Sequence, residues 1–272
     1  MLPRAPVRLL VLGLLLAGCP RRGPDTEVRL QSLVRASDEA WQRRGQLGLD
    51  EAAKPLLTAW SAAPADPRVS WRLARWRLAE GLAAPNAGQA RTSYAQAREV
   101  GLACLDGDPL FAQRRKSEGW AVALAGLSPE RSRCAAWAAL AWTRWIEVMG
   151  GGAAALDLDT VDALIGSSKA TAGPLAQGVA RWAEGVLAAV RPSWAGRDLG
   201  RAEVALRDAI RADPDSVVRW VDLYRLVVVN TGTTAEQEAL RSQILALPAV
   251  TPEDQRARTQ LEASTTPSAP PP

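Results

Sequence analysis

The chain has 272 residues, with 33 basic and 29 acidic side chains, a formal charge of +4 and no histidine. Without imidazole there can be no Ser–His–Asp or Cys–His catalytic arrangement and no zinc site with a histidine ligand, and three cysteines are too few for a four-cysteine site. Hydrophobic residues make up 47% and charged residues 23%, which is typical of a folded globular chain. Eleven tryptophans, against two tyrosines and one phenylalanine, are the most unusual part of the composition.

The N-terminus is typical of a bacterial lipoprotein leader. A basic start precedes an apolar core from Leu9 to Leu16, which is too short to span a membrane. The core ends in Leu-Ala-Gly-Cys, a sequence that resembles the lipobox at which such proteins are lipidated and cleaved, with Cys19 as the lipidated residue. We therefore predict a signal peptide over residues 1–18 and a lipid-anchored tether over residues 19–27. An ordinary cleavable signal with an incidental cysteine is the alternative.

The positive charge lies in this leader and not in the folded body. Arg4 and Arg8 belong to the signal peptide, and Arg21 and Arg22 lie beside the anchor, where basic side chains attract anionic headgroups. Because these are four of the 33 basic residues and no acidic residue precedes them, the rest of the chain has 29 of each and indicates no nucleic-acid-binding face. Pro20 follows the cysteine where an aspartate would retain enteric lipoproteins in the inner membrane. By that resemblance we expect an anchor in the outer membrane, facing the periplasm.

Two cysteines remain once Cys19 is lipidated. Cys104 and Cys134 would then lie in an oxidising compartment, where a disulfide between them is one interpretation. Two small buried thiols within helices are the other, and the sequence favours neither strongly enough to decide.

The mature chain fits a helical hydrophobic period in almost every segment, and no segment shows convincing strand alternation. Pairs such as Asp66-Pro67 and Ser128-Pro129 separate the segments, with each proline suited to the first turn of a helix. Helices are predicted over 28–44, 50–63, 69–82, 89–105, 129–149, 174–190, 199–212, 216–229, 235–245 and 252–263. We therefore predict an all-α domain of about ten to twelve helices over residues 28–263. A glycine break is expected at 150–152 and a disordered tail at 264–272.

A degenerate repeat lies within these helices. Ala202, Leu206 and Ala209 precede an Asp-Pro pair at the spacing of the second helix of a tetratricopeptide repeat. The same intervals recur before the Asp-Pro pair at 108–109 and, more loosely, before the pair at 66–67. Small residues at these positions let paired helices approach closely, and the proline ends one helix before the next pair stacks. The pattern favours a tetratricopeptide-like solenoid of helical hairpins over an unrelated bundle.

A tryptophan-rich helix lies near the middle of the chain. Residues 134–142 are apolar throughout, Trp142 and Trp145 share a face, and Trp137 lies further round the helix. A helix that is apolar on all sides is enclosed by protein or lines an apolar cavity, and Arg144 interrupts it too early for a membrane span. The tryptophans are therefore either core residues or the wall of a site for an apolar or amphipathic ligand, with Arg144 near its mouth.

Two further patterns are candidates for binding. Trp182 shares a helix face with two glycines, which permits either close packing or a groove in which the ring contacts a ligand. Arg68, Arg72 and Arg75 form a basic stripe at helical spacing, which is either a solvated face or a partner-binding surface. Carboxylates are scattered, and no pair lies where paired acid/base catalysis would be recognisable. Since no nucleophile with a recognisable base is present either, the sequence predicts no enzyme, no metal site and no cofactor.

The lipobox, the degenerate repeat and the tryptophan-rich helix together resemble the lipoprotein T-component associated with TRAP-type transporters. The resemblance is sharpest over residues 130–214, where 192–198 is similar to a Pro-x-x-x-Gly-Gly-Asp turn, with Ala195 replacing the first glycine and Arg197 inserted. It implies a periplasmic, membrane-tethered α-solenoid that hands an apolar ligand to or from the transporter's substrate-binding protein. A homotrimer is implied by analogy only. The alternative function is a tetratricopeptide scaffold that docks peptides of an envelope-assembly or secretion complex.

Overall fold

The computed structural model describes residues 24–64, 66–150, 155–171 and 173–263, and every regular element within them is helical. The helices are α1 (Pro24–Gln42), α2 (Arg44–Leu47), α3 (Leu49–Ala62), α4 (Pro67–Ala83), α5 (Ala87–Asp106), α6 (Pro109–Ser117), α7 (Trp120–Leu124), α8 (Pro129–Met149), α9 (Leu158–Thr171), α10 (Pro174–Val190), α11 (Leu199–Ala212), α12 (Val217–Leu223), α13 (Val229–Thr231), α14 (Thr234–Ala246) and α15 (Pro252–Ala263). The all-α prediction is confirmed for this part of the chain. The signal peptide, Cys19, most of the glycine break and the predicted tail lie outside the described residues.

The helical segments of the described chain outnumber the ten to twelve predicted. The segments that form α6, α7 and α9 lie outside the predicted helices, as does all of α2 except Arg44. The single helix expected over 216–229 is instead interrupted, because a π-helical turn over Tyr224–Val228 joins α12 to α13. None of the described helices combines the length and apolar character needed to cross a membrane.

Side-chain caps set the helix starts at the predicted breaks. The Asp66 carboxylate accepts a hydrogen bond from the Arg68 amide at 2.9 Å, and the Ser128 hydroxyl accepts one from the Arg131 amide at 3.4 Å. Each cap is followed by a proline at the first helical position, where a missing amide proton costs nothing. The helix predicted over 50–63 begins one residue earlier than expected, at Leu49, after a glycine with a positive φ of 77°.

Helices close in sequence pack on one another as hairpins. α4 packs on α5, α5 on α8, α8 on α9 and α10, and α10 on α11. A larger and a smaller hydrophobic core form on either side of α4, which supplies Leu78 to the larger and Leu73 to the smaller. At the other end of the chain α15 returns to pack on α4 as well as on α12. This return is more than the neighbour-to-neighbour stacking of a simple solenoid, and the tetratricopeptide assignment stays a prediction.

Small residues lie where these helices approach most closely. A Cβ added at Gly101 of α5 would lie 2.7 Å from the Cβ of Ala138 in α8, and one added at Gly185 of α10 would lie 2.6 Å from Cγ of Leu206 in α11. The glycine face of α10 therefore serves packing, which is one of the two interpretations of its sequence. A disulfide between Cys104 and Cys134 also joins α5 to α8, which decides the question that the sequence left open.

We expect Gly185→Ala to lower the free energy of unfolding by about 1–3 kcal/mol, because the added methyl group must push the backbone of α11 away. Gly166→Ala in α9 is the matched control, since a Cβ there meets nothing within 4 Å. That substitution should raise stability by about 0.5–1 kcal/mol through helix propensity alone. Urea denaturation followed by circular dichroism measures both, and equal effects of the two changes would contradict the packing described here.

Candidate ligand-binding site

A cleft of about 390 Å³ lies where α1, α2 and α4 meet α8, α10, α12 and α15. Its lining residues are Trp41, Arg44, Arg75, Leu78, Ala79, Leu82, Trp137, Trp182, Asp213, Asp215, Ser216, Val218, Arg219, Pro248, Val250, Thr251, Glu253 and Asp254. Three tryptophans, three arginines and four carboxylates thus face one space. Apolar walls with a few charged groups are typical of small-molecule sites.

Trp137 and Trp182, both singled out from the sequence, meet in this cleft. Trp137 is 7% exposed and Trp182 is 5% exposed, so each ring belongs to the core and presents only a small part of its surface to the cleft. The Trp182 indole is fixed because its Nε1 donates a hydrogen bond of 2.7 Å to Oδ2 of Asp222. Trp137 and Trp182 are therefore both core residues and part of the cleft wall.

Trp142 and Trp145 lie away from the cleft. An α-helix turns about 100° per residue, so Trp142 is about 140° round α8 from Trp137 and faces a different neighbour. Nε1 of Trp142 donates to Oδ2 of Asp157 at 3.2 Å, and the guanidinium of Arg98 lies 5.1 Å and 5.0 Å from the ring centres of Trp142 and Trp145. The four predicted ring positions thus divide into two pairs, and the cleft holds one pair.

Arg144 does not lie at the mouth of the tryptophan cleft, contrary to expectation. It is 2% exposed and forms a two-pronged ion pair with Asp222 of α12, with a further bond of 2.9 Å from its Nη1 to Oε2 of Glu147. Burial alone would raise the pKa of the Asp222 carboxyl, but Arg144 and Arg225 together hold it below its ordinary value. The sequence could not show this, because the neutralising carboxylate lies 78 residues further along the chain.

The basic stripe on α4 faces α1. Arg68 binds Glu27 and Asp66, and Arg72 binds the Asp38 carboxylate through Nε at 2.8 Å. These ion pairs hold α4 against α1, so two of the three arginines have acidic partners within the chain itself. Arg75 differs from them, because it lines the cleft.

Arg75 is a buried cation whose charge is only partly compensated. Its nearest carboxylate oxygen, Oδ1 of Asp38, lies 3.5 Å away and already accepts from Arg72. Its guanidinium carbon lies 4.1 Å from the Trp41 ring centre and 5.0 Å from that of Trp71, and its Nε has no hydrogen-bond partner among the described residues. Burial lowers the pKa of Arg75 to about 9, and Asp38 offsets this only in part.

The opposite wall comes from the C-terminal part of the chain. Oε1 of Glu253 accepts a hydrogen bond of 2.8 Å from Nε of Arg44, and Nη2 of Arg219 lies 3.1 Å from Asp213. The preceding loop lies so close to α2 that a Cβ on Gly45 would be 2.5 Å from the carbonyl oxygen at position 250. The sequence did not predict that this part of the chain forms a cleft wall, because acidic residues are common in the first turn of any helix.

A second cleft of about 430 Å³ lies next to the first and shares Leu82, Val218 and Glu253 with it. Arg144 and Asp222 line this second space. It is the more polar of the two and holds none of the tryptophans.

No protein-family model matches the sequence, and a comparison with curated proteins finds no similar chain. We therefore argue function from the clefts and from the leader.

We expect Asp222→Asn to lower the free energy of unfolding at pH 7 by about 3 kcal/mol, because it removes the two-pronged partner of the buried Arg144 guanidinium and leaves it with Glu147 alone. Glu203→Gln is the control, since its i,i+4 pair with Arg207 is exposed and should contribute less than about 0.5 kcal/mol. Because the folded-state pKa of Asp222 is depressed, its contribution is present above the unfolded-state pKa of about 3.9 and is lost as the pH falls further. The difference between wild type and variant should therefore narrow below about pH 4 in thermal melts. A difference that stays constant down to pH 2 would contradict the ion pair.

Proposed function

We propose that the protein is a lipid-anchored periplasmic protein that binds a small amphipathic molecule with an apolar body. The observation that carries the proposal is the cleft in which Trp41, Trp137 and Trp182 meet a buried, partly compensated arginine. Its volume of about 390 Å³ is within the usual range for small ligands. Fixed indole rings offer a large apolar surface that loses little conformational freedom on binding.

We further propose that this binding serves a solute-uptake system of the TRAP type. The support is the lipobox at Cys19 and the resemblance of residues 130–214 to the T-component lipoproteins. In this role the protein would exchange its ligand with the transporter's substrate-binding protein at the outer membrane.

A peptide-docking scaffold is less well supported. That function was expected to use Arg68, Arg72 and Arg75 as an open basic surface. Arg68 and Arg72 are instead held by acidic side chains, and Arg75 is buried in the cleft wall.

Blocking the cleft should weaken the binding of an apolar probe. Ser216 lines the cleft, is partly exposed and makes no side-chain capping bond, so Ser216→Trp adds bulk without removing a helix cap. We expect this change to weaken binding of N-phenyl-1-naphthylamine to the Cys19→Ala chain by at least about tenfold. The measurement is quenching of tryptophan fluorescence together with the rise in probe emission.

Ser117→Trp is the matched control, because Ser117 is exposed and lines none of the described clefts. It should leave the probe affinity unchanged. Equal binding by both variants, or no binding by the unblocked chain, would rule out the cleft as the site.

The anchor has its own test. We expect Cys19→Ala to prevent incorporation of labelled palmitate and to move the protein from the membrane fraction to the soluble periplasmic fraction. Unchanged fractionation would mean that another part of the chain binds the membrane.

A further inference from the structure

The charged side chains of the cleft wall indicate which charges a ligand would have, whereas the tryptophans indicate only that part of it is apolar. Three arginines face four carboxylates, so the wall has no excess positive charge that would suit a simple anion. Internal pairs account for most of them, since Arg44 binds Glu253 and Arg219 binds Asp213.

Three of the lining side chains, Arg75, Arg219 and Glu253, keep a buried polar atom without a hydrogen-bond partner among the described residues. The Arg219 guanidinium already has Asp213 and the Ala209 carbonyl as partners. Arg75 is therefore the less compensated cation, and Glu253 is the carboxylate of the three.

Arg75 is the positive group. It is 9% exposed, its Nε has no hydrogen-bond partner among the described residues, and the carboxylate nearest to it is already bound to Arg72. An anionic group of a ligand would supply the charge that Asp38 supplies only from 3.5 Å.

Glu253 is the negative group. It is 6% exposed, and its Oε1 accepts from Arg44, but its buried Oε2 has no hydrogen-bond partner among the described residues. A buried carboxylate oxygen without a donor is unfavourable, and an ammonium group is a donor of the right charge. Asp254 beside it is already satisfied by the Thr251 hydroxyl and the Val218 amide.

A single indole connects the two groups. Arg44, which forms an ion pair with Glu253, places its guanidinium carbon 3.9 Å from the Trp41 ring centre. The guanidinium carbon of Arg75 lies 4.1 Å from the same centre. Arg75 and Glu253 therefore line one space together with apolar side chains that include Leu78 and Trp137.

We propose that the cleft binds an apolar zwitterion, with the ligand's carboxylate on Arg75, its ammonium group on Glu253 and its apolar body against the tryptophans. Apolar amino acids and their short peptides form this class. The inference rests on the proposed ligand-binding function and goes beyond it by naming both charges of the ligand. A neutral apolar ligand would give neither Arg75 nor Glu253 a further charged partner. An anionic ligand would give Arg75 a partner but add none for Glu253.

The test compares four forms of one dipeptide by isothermal titration calorimetry on the Cys19→Ala chain. Leucyl-phenylalanine has both charges, its N-acetyl form lacks the ammonium, its amide lacks the carboxylate, and the N-acetyl amide lacks both. We expect the zwitterion to bind at least about tenfold more tightly than either singly charged form, and the uncharged form to bind most weakly. The series needs no substitution at a buried residue.

A variant assigns the charges to residues. Arg75→Gln should lower the affinity for the zwitterion and for the N-acetyl form but leave the affinity for the amide unchanged. Ser117→Trp should leave the affinity for all four forms unchanged. If Arg75→Gln does not fold, the four-ligand series on the unaltered site decides the question by itself.

The outcomes separate the two proposals. Equal affinity for the zwitterion and the N-acetyl amide, or for the zwitterion and the N-acetyl form, would overturn the zwitterion inference in favour of a neutral or an anionic ligand. Binding of N-phenyl-1-naphthylamine without binding of any dipeptide would also overturn it, while the proposed function stands. Failure of the probe and of all four dipeptides would overturn both.

Discussion

The buried carboxylate of Asp222 is the interaction on which the rest of the structure depends. It accepts from Arg144 of α8, from Trp182 of α10 and from Arg225 one turn along its own helix. Removing several charged groups from water is unfavourable, and their mutual pairing offsets it. Three helices are thereby fixed in one relative position, and Trp182 is held in the cleft wall.

The cleft depends on these contacts of Asp222 and on the packing of α4 into both hydrophobic cores. One face of α4 joins the smaller core under α1 and α3, and the other joins the larger core, so Arg75 is carried to the boundary between them. The C-terminal α15 then closes the open side by packing on α4 and α12. Tryptophan, arginine and glutamate meet there because three separate parts of the chain converge.

The sequence predicted the local features of this fold well and the convergence poorly. The ends of α10, α11 and α15 agree with prediction, because proline and capping residues act within one turn of a helix. The tryptophans were correctly placed on helices, but their division between two sites depends on which neighbour each face meets. The place of Glu253 in the cleft wall could not be predicted from the sequence, because it depends on the contact with Arg44, which is 209 residues away along the chain.

The cleft draws its walls from both ends of the folded body. Arg44 and Glu253 are separated by 209 residues, so the site does not exist in a nascent or truncated chain even when most helices have formed. The cleft is therefore a property of the completed polypeptide. Loss of α15 alone would remove one wall of the cleft and a packing partner of both α4 and α12, so the lining and the fold cannot be separated at this end of the described chain.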